Sequence, residues 1–273
     1  MSQFKIADHR NGVLLAIAGA MALSVVGCGE KATPTPAAVA VSPTPASEPT
    51  PEQKLAELVK KAATGDANAQ YSLGLLAFNG EHGSKDSAKA AEWYQKAANQ
   101  GHAEAQSRLG WLYKIGDGVA RDLVKAENLL LSAAVQGNAN AQLNLGQMYE
   151  TGEGVTRDVS KAAKWYAKGA LGSGSAEVQY LYGMMFSVGQ GVHKDAAKAE
   201  ELFRSAAGQG NTDFMQNELG DRYAAGDGVR KDSNMAIRCY QKAAQLGHVD
   251  AQYKLGSMYY NGKGVAKDAI QAV

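Results

Sequence analysis

From Gly65 onward the chain repeats itself. The string Gly-x-Ala-x-Ala-Gln-x-x-Leu-Gly-x-x-Tyr-x-x-Gly-x-Gly-Val-x-x-Asp-x-x-Lys-Ala recurs, with departures, from starts at Gly65, Gly101, Gly137, Gly174, Gly210 and Gly247, which lie 36 or 37 residues apart. A period in that range marks a repeat array, in which a unit cannot bury its apolar face alone and stacks on its neighbours. The spacing is kept by adding one residue before Gly174 and another after Gly210, the second expected inside the first helix of its unit.

Within a unit the pattern reads as two helices. Each unit opens on a glycine that can take the left-handed conformation ending the preceding helix, and Asp66, Asn138, Ser175 and Asn211 follow as N-caps, with His102 and His248 as poorer ones. Helix A then sets Leu109, Gly110 and Tyr113, or Leu145, Gly146 and Tyr149, on one face. A glycine inside a helix costs about 1 kcal/mol relative to alanine. Its return at positions 74, 110, 146, 183, 220 and 256 therefore implies a packing reason, namely close approach of the partner helix. Helix B is expected to bury Ala90, Trp93, Tyr94 and Ala97, or Ala162, Trp165, Tyr166 and Ala170, against helix A.

Two recurring features could be mistaken for sites. The loop Gly116-Asp117-Gly118-Val119 and its equivalents at 152–155, 189–192 and 226–229 follow a helix, whereas a nucleotide-binding glycine loop follows a strand and carries a third glycine. They read as a glycine C-cap, a tight turn and an inward valine; the first unit departs, with Gly80-Glu81-His82-Gly83. Asp86, Asp122, Asp158, Asp195, Asp232 and Asp268 recur once per unit and read as N-caps of helix B. An active site instead needs unlike groups converging at one place.

Taken together, Ala-x-Ala-Gln-x-x-Leu-Gly, the Gly-x-Gly-Val loop and Lys-Ala-x-x-Trp-Tyr-x-Lys-Ala-Ala resemble the Sel1-like repeat family, close in design to tetratricopeptide repeats, over residues 65–273. The resemblance implies an all-α, right-handed α/α superhelical solenoid whose A helices line a concave, protein-binding side. On this reading there are five complete units and a truncated sixth, and residues 52–64 form an N-terminal capping helix in which Leu58 and Ala62-Ala63 stand for the later aromatic pair and Ala97-Ala98.

The segment ahead of the repeats has a different character. Lys5 and Arg10 precede a mostly apolar run from Val13 to Gly27, the build of a cleavable export signal rather than of a membrane span. Val25-Val26-Gly27-Cys28 resembles the bacterial lipobox, which implies a signal peptide over 1–27, a lipid on Cys28 and an exported protein of the bacterial envelope, placed at the outer membrane facing the periplasm. Residues 28–51 contain every proline of the chain, spaced by Ala, Thr, Ser and Val, and read as a disordered, semi-rigid tether.

Composition narrows the function. The formal net charge is +1, carried by the signal segment, so the remainder is near neutral and has no basic stripe for nucleic acid. The histidines, His9, His82, His102, His193 and His248, have no metal-ligand spacing on one helix. Cys239 occupies the helix B position of Trp93 and Trp165 and reads as a buried thiol, and no G-x-S-x-G elbow occurs. No cofactor is expected.

What remains is binding. Opposite the repeated face of helix A, the fourth, seventh, eleventh, fourteenth and fifteenth positions of the units do not repeat. They supply Tyr71, Leu75, Phe78, Trp111, Ile115, Tyr180, Met184, Val188, Tyr253 and Tyr260, interleaved with Glu104, Lys114, Gln147, Glu150, Glu177 and Asp221. Aromatic anchors on a scaffold are where partner specificity resides. Against this, Ile115 and Val188 in particular could pack between neighbouring A helices. The expected role is a lipid-anchored scaffold for an envelope protein or peptide. The resemblance also leaves open an immunity protein that inhibits a periplasm-directed toxin such as a phospholipase. A lower alternative, β-lactam binding or hydrolysis, belongs to relatives with paired cysteines that are absent here.

Overall fold

In the computed structural model, residues 50–81, 83–172, 174–209, 213–270 and 272 are described. The signal segment, Cys28 and most of the proposed tether lie outside them, as do His82 and Asn211. Residues 49–273 form one compact unit. In order, the helices are α1 (Pro51–Ala63), α2 (Ala67–Asn79), α3 (Ser87–Asn99), α4 (Ala103–Ile115), α5 (Leu123–Val135), α6 (Ala139–Thr151), α7 (Val159–Gly172), α8 (Ala176–Val188), α9 (Ala196–Gly208), α10 (Asp213–Ala225), α11 (Ser233–Gln245) and α12 (Val249–Asn261). Each helix packs on the next, giving an all-α solenoid in which α2, α4, α6, α8, α10 and α12 are the A helices.

The ends of these helices are set by the recurring residues. Asp66, Asn138 and Ser175 cap A helices, and Asp86, Asp122, Asp195 and Asp232 cap B helices through their side-chain oxygens. Asp158 does the same for α7, accepting from the Lys161 amide at 2.9 Å. His102 and His248 also cap, each taking the third amide of its helix on Nδ1, at 3.2 and 3.3 Å against 2.8 Å for Asp66. The cap requires the His102 proton to sit on Nε2, which faces Asn68 Oδ1 at 3.1 Å.

Three expectations are corrected. Helix α10 has the 13 residues of the other A helices and keeps Gln216 at its fourth position, as Gln70 is in α2, so the inserted residue lies ahead of Asp213. The tether ends earlier than expected, because Pro51 is the first residue of α1, with Thr50 and Gln53 forming a capping box. The register of α1 also shifts by one. Gln70 donates to the Ala62 carbonyl as Gln106 does to Ala98, which makes Ala62 alone the counterpart of Ala98.

Close packing within a unit explains the helix glycines. The Tyr94, Tyr166 and Tyr240 rings, the Phe203 ring and the Leu130 side chain lie against Gly74, Gly146, Gly220, Gly183 and Gly110 respectively. A methyl on Gly220 would stand 2.6 Å from the Tyr240 ring. The tyrosines are buried, but Trp93 and Trp165, expected to be buried with them, are only half-buried. One residue further round the helix, each tryptophan sits in the cleft to the preceding unit, and the ammonium of Lys96 or Lys168 lies 3.9 or 4.4 Å from its ring centroid. The smaller Cys239 is buried at that position, and burial pushes its thiol up to about 11.

Neighbouring units are joined by the recurring glutamine of helix A. Gln70, Gln106, Gln142, Gln216 and Gln252 each donate Nε2 to a carbonyl in the last turn of the preceding helix B. Gln100, Gln136 and Gln209 follow helix B and donate onto Gln70, Gln106 and Gln179 at 2.8, 2.9 and 2.9 Å. Helix-end carbonyls that lack an intrahelical partner are thus satisfied inside the interface. Below, Val119, Val155, Val192, Val229 and Val265 from the loops pack against the core as expected.

Candidate functional site

Because the repeated positions of helix A are used up by helix B and by the glutamine joints, the variable positions of successive A helices meet one another. The Tyr71 ring stacks on His102 at 4.8 Å, and Phe78 meets Trp111 edge-on at 6.0 Å. Lys114 reaches Asn144 at 3.4 Å, and Lys254 reaches Asn217 and Asp221 at 3.1 and 2.7 Å. Side chains of the variable positions therefore tie α2 to α4, α4 to α6 and α10 to α12 in the row of A helices.

That row divides the expected binding residues into two kinds. Tyr71, Leu75, Phe78, Trp111, Tyr180 and Met184 are half-buried, packed against the cores of their own and adjacent units. Ile115 and Val188, for which packing between neighbouring A helices was the alternative, are 46% and 59% exposed. Both stand in the last turn of helix A, one residue before the capping glycine, beyond the reach of the next A helix. Tyr253 and Tyr260 are exposed as well.

The most unusual group on the row was not among the residues singled out in the sequence. Arg222 occupies the position of Leu76, Leu112, Met148, Met185 and Met258 and is only 6% exposed. Its guanidinium lies 4.3 Å from the Phe203 ring centroid and 5.2 Å from that of Tyr180. One Nη donates to the Tyr180 hydroxyl at 2.9 Å and to the Met184 sulfur, and the other meets Asp227 at 3.2 Å. The Tyr180 hydroxyl in turn donates to Glu218 at 2.9 Å. A buried charge needs this many partners and aromatic faces to be tolerated. The result is that Tyr180, Met184 and Glu218 are held in one arrangement. An arginine at an otherwise apolar repeat position is the signal that could have revealed the cluster.

Helix B contributes to the same row through its tyrosines. Passing along the glycine gap, the Tyr166 hydroxyl reaches Glu150 at 2.8 Å and the Tyr240 hydroxyl reaches Asp221 at 2.7 Å. The row therefore changes character along its length. Its first two units present Tyr71, Leu75, Phe78, Trp111 and Ile115 with Lys85, Arg108 and Lys114; the later ones present Glu150, Glu177, Glu218 and Asp221. Burial lowers Lys114 below the usual lysine value, opposed by Glu153 at 3.9 Å. Such a surface can hold an extended chain by apolar anchors and charge. Among the described residues no three His, Cys, Asp or Glu side chains gather as metal ligands would.

Comparison with known proteins agrees with this architecture. A family model described as Sel1 repeat matches residues 67–102, 103–138, 139–173, 176–211, 214–248 and 249–273. Among solved structures, a Sel1 repeat protein from Oxalobacter formigenes is 32% identical with a TM-score of 0.70, over 81% of this chain and 89% of that one. A protective antigen present in uropathogenic Escherichia coli strains, described as displaying an SLR fold, is 37% identical with a TM-score of 0.73. There the alignment covers 80% of this chain but 46% of the antigen, so the chain spans less than half its length. No curated protein matches at a significant level.

Proposed function

Since the chain belongs to the Sel1 repeat family, we propose that it works by binding rather than by catalysis, laying a protein or peptide partner along the row of A helices. One observation carries this reading. Positions that face helix B recur from unit to unit, while the opposite positions vary between units and leave Ile115, Val188, Tyr253 and Tyr260 exposed. On a scaffold whose core positions recur, specificity resides on a face that varies. The partner segment complementary to it carries apolar anchors along its length, with basic side chains opposite Glu150, Glu177 and Glu218. In this reading Cys28 bears a lipid and the protein is held at the outer membrane facing the periplasm, on the tether that ends at Thr50.

The burial pattern decides which variant tests the row. Trp111 and Met184 are packed, so replacing them disturbs the fold as well as the surface. Ile115→Lys with Val188→Lys changes only exposed side chains. Affinity capture from the native envelope is expected to lose the partner with this double variant, at unchanged helical circular dichroism and melting. Equal recovery by parent and variant counts against the row. Recovery of a lipase toxin whose activity the protein suppresses would identify an inhibitor rather than a general scaffold. A mature N-terminus without a diacylated cysteine, by mass measurement, would remove the anchor while leaving the binding reading in place.

A further inference from the structure

Helix B also has a face that does not repeat, on the side away from its buried residues. Val124, Leu131 and Val135 follow one another at seven- and four-residue steps along α5, a single stripe opposite buried Ala126, Leu130 and Ala133. On the neighbouring α7, Leu171 occupies the position equivalent to Val135, and the two are 87% and 71% exposed. The other units carry Asn99, Gly208 and Gln245 at that position, and Gln95, Arg204 and Gln241 where Leu131 stands. The apolar strip is therefore confined to these two adjacent helices.

Lysines flank it. Lys161, Lys164 and Lys168 lie within a third of the circumference of α7, around Trp165, and with Leu131 and Tyr149 they line an open cleft of about 470 Å³. Lys161 stands 5.2 Å from the Tyr149 ring centroid and 3.9 Å from Asp158, and Glu127 accepts from the Tyr149 hydroxyl at 2.8 Å. Lys125, on α5, is matched by Asp122 at 3.4 Å, and on α9 Glu200 is matched by Arg204 at 2.6 Å. Among the described residues Lys164 and Lys168 form no ion pair.

We propose that this outward face of α5 and α7 rests on an anionic phospholipid surface. Aliphatic side chains that stand proud of two neighbouring helices, rather than lining a closed pocket, suit shallow insertion at a bilayer interface. Tryptophan prefers that same depth, and lysines can lay their stems along apolar surface while the ammonium meets headgroup phosphates. Two unpaired lysines supply the charge that selects anionic over neutral lipid. The contact is made by the folded repeats and does not rest on acylation of Cys28 or on the partner reading of the A helices. It would hold the row of A helices turned away from the bilayer.

A local probe tests it, because the apolar N-terminal segment could retain any chain on vesicles. In the full chain carrying Cys28→Ser, Trp93→Phe and Trp111→Phe, Trp165 is the remaining tryptophan. Vesicles of phosphatidylglycerol and phosphatidylethanolamine with brominated acyl chains are expected to quench it. Phosphatidylcholine vesicles with the same bromination are expected not to. Lys164→Gln with Lys168→Gln should weaken the quenching titration about thirtyfold at low salt, and Leu171→Ser should weaken it with the charge kept. Absence of quenching by the anionic vesicles, or equal quenching by both lipids, overturns the proposal. So does a Trp165 response to a Glu-rich, leucine-containing peptide at concentrations where vesicles give none, which would assign the face to an acidic protein.

Discussion

At the scale of single residues, the helix-A glycines and the aromatic rings of helix B act as pairs. Gly220 has no room for a methyl beside the Tyr240 ring, and that ring is fixed in turn by its hydroxyl bond to Asp221 at 2.7 Å. Gly220→Ala therefore cannot be relieved by a small rotation of the ring. It is expected to destabilise the protein by about 1–3 kcal/mol despite the better helix propensity of alanine, read as a lowered midpoint in chemical denaturation. A neutral or stabilising effect would mean that the two helices can separate at no cost. Most of this was legible in the sequence, since a recurring interior glycine admits few explanations. The Arg222 cluster was legible only as an arginine in an apolar column; its partners were not, because a long side chain reaches Asp227 and Tyr180 on other segments and that trajectory leaves no trace in the sequence. The exposure of Ile115 and Val188 was left open for a related reason. Their side of the helix follows from spacing, but how far the next helix extends beside the last turn does not.

Between elements, one joint departs from the rest in a compensated way. Where the other joints whose helices keep the motif pair two small residues, Ala97 with Ala105 and Ala133 with Ala141, the joint of α7 with α8 pairs Gly169 with Val178. A methyl on Gly169 would lie 2.9 Å from the Val178 side chain, so volume lost on one helix has been regained on the other. Gly169→Ala is expected to cost about 1–3 kcal/mol through overpacking, and Val178→Ala a similar amount through a cavity. The double variant should recover much of either loss, which a double-mutant cycle measures; strict additivity would show that the two do not share the space. A second link between units is electrostatic. Lys85, in the first loop, bonds Asp117 in the second at 3.0 Å and holds its carboxyl below the usual carboxylate range. A depressed carboxylate stabilises above its unfolded value and loses that contribution as pH falls through the folded one. The stability gap between parent and Asp117→Asn is therefore expected to be constant at neutral pH and to close below about pH 4. The pair is partly exposed, so the gap should be no more than about 1 kcal/mol. A gap that widens with acid would contradict the pairing. The first feature is a departure from the repeat and the second a recurring pair, met again as Arg121 with Glu153 at 2.6 Å; the sequence shows both sets of residues but not which of them touch.

For the whole molecule, contacts run almost entirely between consecutive helices, so stability is held in neighbouring pairs rather than in one shared core. A defect in a central unit should therefore open locally. In a Gly146→Ala chain, amide exchange is expected to quicken first in α6 and α7, while α2, α3, α10 and α11 keep parental protection. Uniform loss of protection across all helices would show that the array unfolds as one block. The fold class, the helix count per unit and the roles of the recurring aspartates were readable from the period alone. The relation between the two variable faces was not. Each face is assembled from residues some 36 apart, and only the stacking of units brings Phe78 to Trp111 or Leu131 beside Trp165.

The glutamine joints make five unit boundaries chemically alike among the described residues: an amide donating to a carbonyl at the end of the helix before it. Units can therefore follow one another wherever the packed side chains also match, a condition that the pairing of Gly169 with Val178 narrows at the joint of α7 with α8. A recombination event that fused the loop of one unit to the same point of another would yield a chain one unit shorter or longer, with all its joints intact. Such an event would leave the architecture standing and reorder the surfaces, giving a lineage of these genes new recognition without having to invent a new fold.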